Sequence, residues 1–261
     1  MSEQDRNFDD LADRFRRNVY GGLKGDIRLA VLQRDLLGHI PALEQANPDR
    51  PLRILDAGGG QGQLALMLAQ RGHHILVCDI SADMLTLAAE AAAREGVSDR
   101  IATRQVAIQT LAAEGQKFDV VLCHAVLEWV VEPQELLQAL LALTRSGGHL
   151  SLTFFNVNSI IFKNLLRTNF KKVLAADFCG KAGSLTPTNP LLPEIVYGWL
   201  AELPLQQLCL SGIRCFHDYI LNKDMCDREP AQQIELELQL SQQEPYRSLA
   251  RYIHVLAIAN H

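Results

Sequence analysis

Hydrophobic and polar positions follow two kinds of pattern along the chain. Short apolar runs alternate with stretches of about a dozen residues in which apolar side chains recur every three or four positions. This alternation predicts strands joined by crossover helices, and therefore an α/β protein with a mostly parallel sheet. The predicted strands are residues 52–55, 75–78, 101–106, 118–124, 149–155, 208–219 and 251–259.

Helical spacing begins at the N-terminus and weakens in the middle of the chain. Residues 5–45 are predicted as helices, interrupted at Tyr20-Gly21-Gly22. Residues 156–192 are predicted to be irregular, because they are rich in Asn, Thr and Pro. Further helices are predicted over 64–72, 81–96, 134–144, 194–203 and 230–243. We therefore expect a helical cap over 1–50, an α/β domain over 51–261, and an insertion at about 156–195 within that domain.

Charge and composition narrow the possible classes of protein. The 261 residues include 25 basic and 30 acidic side chains, a formal charge of −5, which excludes a uniformly basic nucleic-acid-binding surface. Basic residues are nevertheless concentrated in 14–28 and 156–182, as solvated helix faces or as contacts to an anionic partner. The polar N-terminus and the absence of an apolar run of about 20 residues predict a cytoplasmic protein.

The cysteines and histidines show none of the spacings typical of metal sites. The six cysteines contain no C-x-x-C pair, and the eight histidines contain no H-E-x-x-H motif. We expect free, buried, reduced thiols and no metal ion.

A glycine-rich turn carries the strongest chemical signal. The sequence DAGGGQG lies between a predicted strand and a predicted helix, and glycine lets backbone approach a ligand closely. Asp79 ends the next strand, 23 residues after Asp56, which suits a carboxylate that binds ribose hydroxyls. Gln63 stands where a dinucleotide fingerprint needs its third glycine, and no G-K-[ST] follows. Because a carboxylate at Asp56 suits a cationic amino group, we predict S-adenosylmethionine, bound by Asp56, Gly58, Gly59, Gly60, Gly62 and Asp79.

Several segments resemble the class I S-adenosylmethionine-dependent methyltransferases: LDAGGGQG, CDIS with Asp79, FDVVLCHAVLEWV and RSGGHLSLTFF, together covering about 50–156. The resemblance implies a Rossmann-like, seven-stranded, mostly parallel sheet with an antiparallel last strand. It also implies that Ile108 and Gln109 flank the adenine and that Arg28 reaches the cofactor carboxylate. His124 ends the fourth predicted strand, at the edge where open α/β sheets bind ligands.

A wider set of motifs is similar to a family of bacterial tRNA-modifying methyltransferases. NFDD, YGGLKG, HAVLEWV, FHDY, QEPY and ARYIHV occur in that family's order, from Asn7 to about Val255. The resemblance implies methylation of the carboxylate of 5-carboxymethoxyuridine at the tRNA wobble position. The expected partner is then the anticodon loop, held through phosphates by the two basic segments, with no metal, no membrane and a monomeric enzyme.

A carboxylate acceptor changes what the site must supply. Carboxyl groups titrate near pH 4, so no general base is needed, and cations must place the anion instead. The candidates are Arg214, His217 and Arg251, with Tyr252 and His254 in second rank. Arg214 and His217 lie three apart in a predicted strand, which would point them to opposite faces unless the strand bends or ends near Phe216.

Two other functions remain open at this stage. One is a methyltransferase for a small acid or a quinone-type metabolite, which needs no basic rim. The other is a cofactor-binding relative that transfers no methyl group. The segment CHAVLEW replaces the [DN]-P-P-[YF] motif of amino-methyltransferases, and no Pro-Cys dipeptide exists for attack on a pyrimidine ring.

Overall fold

A computed structural model of the chain describes Asp5, residues 22–180 and residues 186–261. The predicted helix before residue 22, the NFDD motif and parts of both basic segments (14–21 and 181–182) lie outside the described residues. The strands are β1 Arg53–Ala57, β2 His74–Asp79, β3 Ile101–Gln105, β4 Phe118–His124, β5 Thr144–Phe155, β6 Leu205–Ile213 and β7 Tyr252–Ala259. The α-helices are α1 Leu23–His39, α2 Gln63–Gln70, α3 Ala82–Arg94, α4 Ile108–Ala113, α5 Pro133–Leu143, α6 Val157–Leu166, α7 Phe170–Leu174, α8 Pro193–Ala201, α9 Pro230–Leu240 and α10 Tyr246–Leu249. Short 3-10 helices cover Pro41–Leu43, Leu127–Trp129, His217–Tyr219 and Lys223–Met225.

The strands form one sheet in the order β3-β2-β1-β4-β5-β7-β6. Strands β1 to β5 pair in parallel, and β7 runs antiparallel to both of its neighbours, β5 and β6. The fold predicted from the alternating pattern is therefore confirmed. Because β1, β2 and β4 are parallel neighbours, the residues that follow them meet at one edge of the sheet.

Two apolar clusters hold the central strands. Ile54 of β1 belongs to a cluster with α1, α2 and α3, and the next residue, Leu55, belongs to a cluster with α4 and α5 on the opposite face. Each fully buried leucine or isoleucine stabilises the fold by roughly 1.5–3 kcal/mol. This burial on both faces fixes the strand ends from which the candidate site is built. No helix within the described residues is both long and apolar enough to cross a membrane.

Helix α1 carries charged residues into the interior. Ile27, Val31 and Leu36 are fully buried, and the helix packs against β6, β7 and α9. Arg28 and Asp35 lie on the same buried surface, with 3% and 2% of their areas exposed. Buried charges need partners, so both side chains are constrained by the residues they face.

Two predictions about the second half of the chain were wrong. Residues 157–174 are not irregular, because they contain α6 and α7; the side chain of Asn156 caps α6 by accepting a hydrogen bond from the N–H of Asn158 at 2.9 Å. The predicted strand over 208–219 ends at Ile213, since Arg214 has a φ of 61°, which extended backbone does not adopt. The bend that the sequence required therefore lies directly at Arg214.

The cysteine prediction was correct in part. All six are free thiols, and four are buried, but Cys179 is exposed and Cys226 is half-buried.

A buried carboxylate holds the turn after β6. Glu237 of α9 is fully buried and accepts hydrogen bonds from the backbone N–H groups of Cys215, Phe216 and His217, at 2.6, 3.2 and 3.0 Å. These three N–H groups lie beyond the end of β6, so they would otherwise be unsatisfied. Glu237 therefore determines the path of the segment that contains Arg214.

Replacing this carboxylate should destabilise the protein. Glu237→Gln removes one acceptor oxygen and the charge from three hydrogen bonds, so we expect a loss of about 1–3 kcal/mol in the free energy of unfolding, measured by urea denaturation. The control is Glu235→Gln, an exposed position on the same helix, which should change stability by less than about 0.5 kcal/mol. Equal stability of the two variants would contradict this role for Glu237.

Candidate active site

A cleft of two lobes opens at the carboxyl edge of the sheet. The wide lobe contains about 780 Å³ of space and is continuous with the solvent. Its lining includes Gly58, Gly60, Asp79, Ile80, Met84, Ile108, Gln109, His124, Val126 and Trp129. The narrow lobe, about 370 Å³, is lined by Arg28, Leu29, Leu32, Asp56, Gly58, Gly59, Gln63, Leu64 and His124. Gly58 and His124 line both lobes, so they mark the junction between them.

The glycine turn brings backbone close to its surroundings. Gly58 has a φ of +66°, and a Cβ there would lie 2.5 Å from Cγ2 of Val126. A Cβ on Gly59 would lie 2.5 Å from Cγ of Asp56. Both positions therefore exclude larger side chains. Gly62 lines neither lobe; its φ of +66° serves the start of α2 instead.

Two carboxylates stand beside this turn. Oδ2 of Asp79 accepts a hydrogen bond from the N–H of Gly60 at 3.0 Å, and Oδ1 accepts one from the N–H of Ser81 at 2.9 Å. Burial, and then the negative charge of Asp79, raises the pKa of Asp56 to about 7. The site therefore has two acidic side chains, and burial destabilises the ionised form of one of them, Asp56. Such a site suits a positively charged ligand.

The other predicted cofactor residues also line the cleft. Ile108 and Gln109 begin α4 and line the wide lobe, whereas Arg28 reaches the narrow lobe from α1. His124 ends β4, and its Nε2 lies 2.8 Å from Oγ of Ser151. Burial, followed by the positive charge of Arg28, holds the pKa of His124 well below its ordinary value, so its ring is neutral near pH 7.

A cluster of cations lies beside the cleft, around one acid. Nε of Arg214 donates to Oδ2 of Asp218 at 2.8 Å, and its Nη2 contacts the same oxygen. Nζ of Lys163 lies 3.9 Å from Oδ1 of Asp218, and the guanidinium of Arg251 lies 4.4 Å from the ring centre of Phe155. We call Lys163, Arg214, Arg251 and Asp218 the basic cluster.

The basic cluster has more positive than negative charge. Burial alone would raise the pKa of Asp218, but Arg214, Arg251 and Lys163 hold it below its ordinary value. Burial lowers the pKa of Lys163 to about 8, and burial also lowers the pKa of Arg251. Three partly desolvated cations share one carboxylate, so the cluster can accept a second anion.

The ring of Tyr252 links the basic cluster to the cleft. The guanidinium carbon of Arg28 lies 4.4 Å from this ring centre, and that of Arg214 lies 5.8 Å from it. Arg28 in turn lines the narrow lobe. The basic cluster is therefore connected to the cleft through two side chains, Tyr252 and Arg28.

The structure brings together some predicted substrate residues and separates others. Arg214 and Arg251 face the same acid, Asp218. His217 is buried, and its Nδ1 lies 3.0 Å from Oε1 of Gln233 rather than at Asp218. His254 is fully buried in the sheet.

Sequence reasoning missed Lys163 and the role of Asp218. The signal for Lys163 was its place in the second basic segment, but nothing in the sequence indicated that it would meet residue 218. Met84 and Trp129 of the wide lobe were also missed, because apolar residues at these spacings are equally typical of the core.

Comparisons with known proteins agree with this fold. The profile of a family described as "Methyltransferase domain" matches residues 55–152. The magnesium protoporphyrin IX methyltransferase (ChlM) of Synechocystis PCC 6803, solved with bound SAH, superimposes with a TM-score of 0.61 over 97% of this chain and 96% of that chain, at 19% identity. A ubiquinone biosynthesis O-methyltransferase of Leptothrix cholodnii is 36% identical over 108 residues, 41% of this chain and 46% of that protein.

The fold and the cleft define a class I S-adenosylmethionine-dependent methyltransferase. A tRNA 5-carboxymethoxyuridine methyltransferase of Escherichia coli (strain K12) is 43% identical over 255 residues, 97% of this chain and 96% of that protein. The chain belongs to the same family as that enzyme.

The raised pKa of Asp56 predicts how cofactor binding depends on pH. The carboxylate is ionised above about pH 7 and protonated below it, so affinity for the cationic cofactor should be complete above pH 7 and lost as the pH falls. We expect the Kd of S-adenosylmethionine, measured by calorimetry without acceptor, to be about tenfold weaker at pH 6 than at pH 8.

Asp56→Asn provides the control for this titration. The variant should bind weakly at both pH values and should lose the pH dependence. The stability of the unbound protein depends on pH in the opposite direction to cofactor affinity. Because the pKa of Asp56 is raised in the folded protein, stability is lost as the pH rises through about 7. At pH 8, Asp56→Asn should therefore be more stable than the native protein. A native Kd that is constant from pH 6 to 8 would contradict the assignment.

Proposed function

We propose that this protein methylates the carboxylate of 5-carboxymethoxyuridine at the wobble position of tRNA, forming the methyl ester. The observation that carries the proposal is the basic cluster beside the cofactor cleft, joined to it through Tyr252 and Arg28. The name of the E. coli relative supports the same acceptor, because the identity extends over nearly the whole of both chains.

The cleft fits S-adenosylmethionine through the chemistry of its side chains. Asp79 would accept hydrogen bonds from the ribose hydroxyls, and Asp56 would face the positive charge of the methionine end. Arg28 would bind the cofactor carboxylate in the narrow lobe. Ile108, Gln109 and the apolar side chains of the wide lobe would enclose the adenine. When bound, S-adenosylmethionine supplies an electrophilic methyl group on a sulfonium.

The chain's own residues then have to position an anion and exclude water. The acceptor carboxylate is already ionised at pH 7, so no side chain needs to remove a proton from it. Arg214 and Arg251 would hold this carboxylate, with Lys163 adding positive charge. His217 remains a predicted member of this set, although its Nδ1 contacts Gln233. Bringing donor and acceptor together in one orientation is the main contribution that such a site makes to the rate.

The tRNA would contact the surface next to this cluster. In α6 and α7, Lys163 points toward Asp218, while Lys171 and Lys172 are exposed beside Phe170, which is 55% exposed. Exposed cations can bind phosphates, and an exposed aromatic ring can stack on an unpaired base. These features support a substrate-facing role for the insertion at about 156–195.

The N-terminal region would cover the cofactor from the other side. Arg28, Leu29 and Leu32 of α1 line the narrow lobe, and Asp5 lines the wide lobe. This placement supports a cap formed by residues 1–50. A tRNA substrate also supports a cytoplasmic location, whereas the monomeric state and the absence of a metal ion stay predictions from the sequence.

Nucleoside mass spectrometry of tRNA from a strain lacking this gene tests the proposal. We expect the methyl ester of 5-carboxymethoxyuridine to disappear and the free acid to accumulate, because only the last step is removed. An unchanged ester level would contradict the proposal and would favour a small acid or quinone-type metabolite as the acceptor.

Expressing two arginine variants from a plasmid in the same deletion strain tests which residues the reaction needs. Arg251→Gln should fail to restore the ester while the purified protein binds S-adenosylmethionine as the native protein does, because its role is on the acceptor side. Arg94→Gln, exposed at the end of α3, should restore the ester fully. Full restoration by Arg251→Gln would exclude it from the carboxylate site.

A further inference from the structure

A line of four hydrogen-bonded side chains runs from α1 to the cleft along one face of the sheet. Nδ1 of His254 lies 2.7 Å from Oδ2 of Asp35, and Nε2 of the same ring lies 2.9 Å from Oγ of Ser151. That hydroxyl oxygen lies 2.8 Å from Nε2 of His124, which lines both lobes of the cleft. Asp35, Ser151 and His254 are buried, with no more than 2% of their areas exposed. Polar side chains buried among the strands need a reason beyond packing.

The far end of the line is firmly anchored. Nε and Nη2 of Arg34 donate to Oδ1 of Asp35 at 2.9 and 2.6 Å, and Nη1 of Arg34 donates to the carbonyl oxygen of Leu238 at 2.6 Å. Burial would raise the pKa of Asp35, but His254 and Arg34 hold it below its ordinary value, so this carboxylate is ionised and accepts hydrogen bonds. The Sγ atom of Cys209 lies within 4.8 Å of the side chains of Asp35 and His254. Burial raises the pKa of Cys209 to about 12, so it stays a neutral thiol.

For a neutral His254, the hydrogen-bonding capacity of each group sets the direction of the line. Asp35 accepts, so Nδ1 of His254 donates and Nε2 of His254 is left as an acceptor. The hydroxyl of Ser151 has one hydrogen, which it donates to that Nε2. Its oxygen then accepts from Nε2 of His124. The ring of His124 carries its hydrogen on Nε2, and its Nδ1 keeps a lone pair for the ligand in the cleft.

We propose that Asp35, His254 and Ser151 are positioning residues that hold His124 in the neutral Nε2–H tautomer, with the Nδ1 lone pair available to the cationic cofactor. The opposite tautomer would place an N–H donor next to a positive charge, which costs binding energy. The burial of His124 and the nearby positive charge of Arg28 favour the same neutral ring. This role concerns the cofactor side of the site, so it does not depend on the identity of the methyl acceptor.

Ring ¹⁵N NMR of the cofactor-free protein tests the proposal without any turnover. The signals of His124 are identified by their loss in His124→Gln. The experiment is done at pH 7.5, which is on the order of one unit above the ordinary pKa of histidine. We expect native His124 to show the Nε2–H tautomer alone. Ser151→Ala should give a mixture of tautomers, since it interrupts the line. Thr144→Val, which removes a buried hydroxyl from the other end of β5, should leave the native spectrum of His124 unchanged.

Cofactor affinity provides the second readout. By calorimetry, Ser151→Ala and Asp35→Asn should each weaken S-adenosylmethionine binding by about tenfold, as expected for the loss of a buried hydrogen bond to a functional group. Ser151→Thr, which keeps the hydroxyl, should recover most of the affinity even if Ser151→Ala is less stable. Thr144→Val should bind as the native protein does.

Three results would overturn the proposal. The first is a native His124 in the Nδ1–H tautomer. The second is an Nε2–H tautomer that persists in Ser151→Ala. The third is a changed tautomer in Ser151→Ala with native affinity for S-adenosylmethionine, which would leave the line with a structural role alone.

Discussion

The site depends on two carboxylates near the carboxyl ends of adjacent parallel strands, beside a glycine-rich turn. Asp56 is a buried residue one position before the end of β1, and Asp79 ends β2. The two strands pair residue by residue from Arg53 to Ala57. Hydrogen bonds from Gly60 and Ser81 fix Asp79, whereas Asp56 is buried so deeply that its pKa rises to about 7. The unbound protein therefore carries an electrostatic cost at this edge of the sheet, which a cationic cofactor bound there would offset.

Charges of opposite sign are separated across the active site. Asp56 and Asp79 face the side where a cation would bind, and the cations of the basic cluster face the side where an anion would bind. Tyr252 and Arg28 lie between the two groups. A methyl transfer from a cation to an anion removes both charges, so a site of this kind has to hold the charged reactants in place rather than move protons between them.

The sequence was most informative where neighbouring residues make the site. The strand, the glycine turn and the helix after it are consecutive, and Asp79 ends the next strand, so their meeting follows from the parallel pairing alone. The turn at Arg214 could be inferred only as a requirement, because the group that holds it, Glu237, lies on a later helix. Lys163 with Asp218, and His254 with Asp35, are distant pairs whose contact depends on the packing of α6 and α1. No local pattern records such contacts.

The central claim is that the carboxylates beside the glycine turn hold the cofactor, and a crystal structure of the complex with S-adenosylmethionine tests it most directly. The account predicts density in the two-lobed cleft, with the ribose hydroxyls on Asp79 and the methionine end beside Asp56. Cofactor bound at another surface, or oriented with its ribose away from Asp79, would contradict the account.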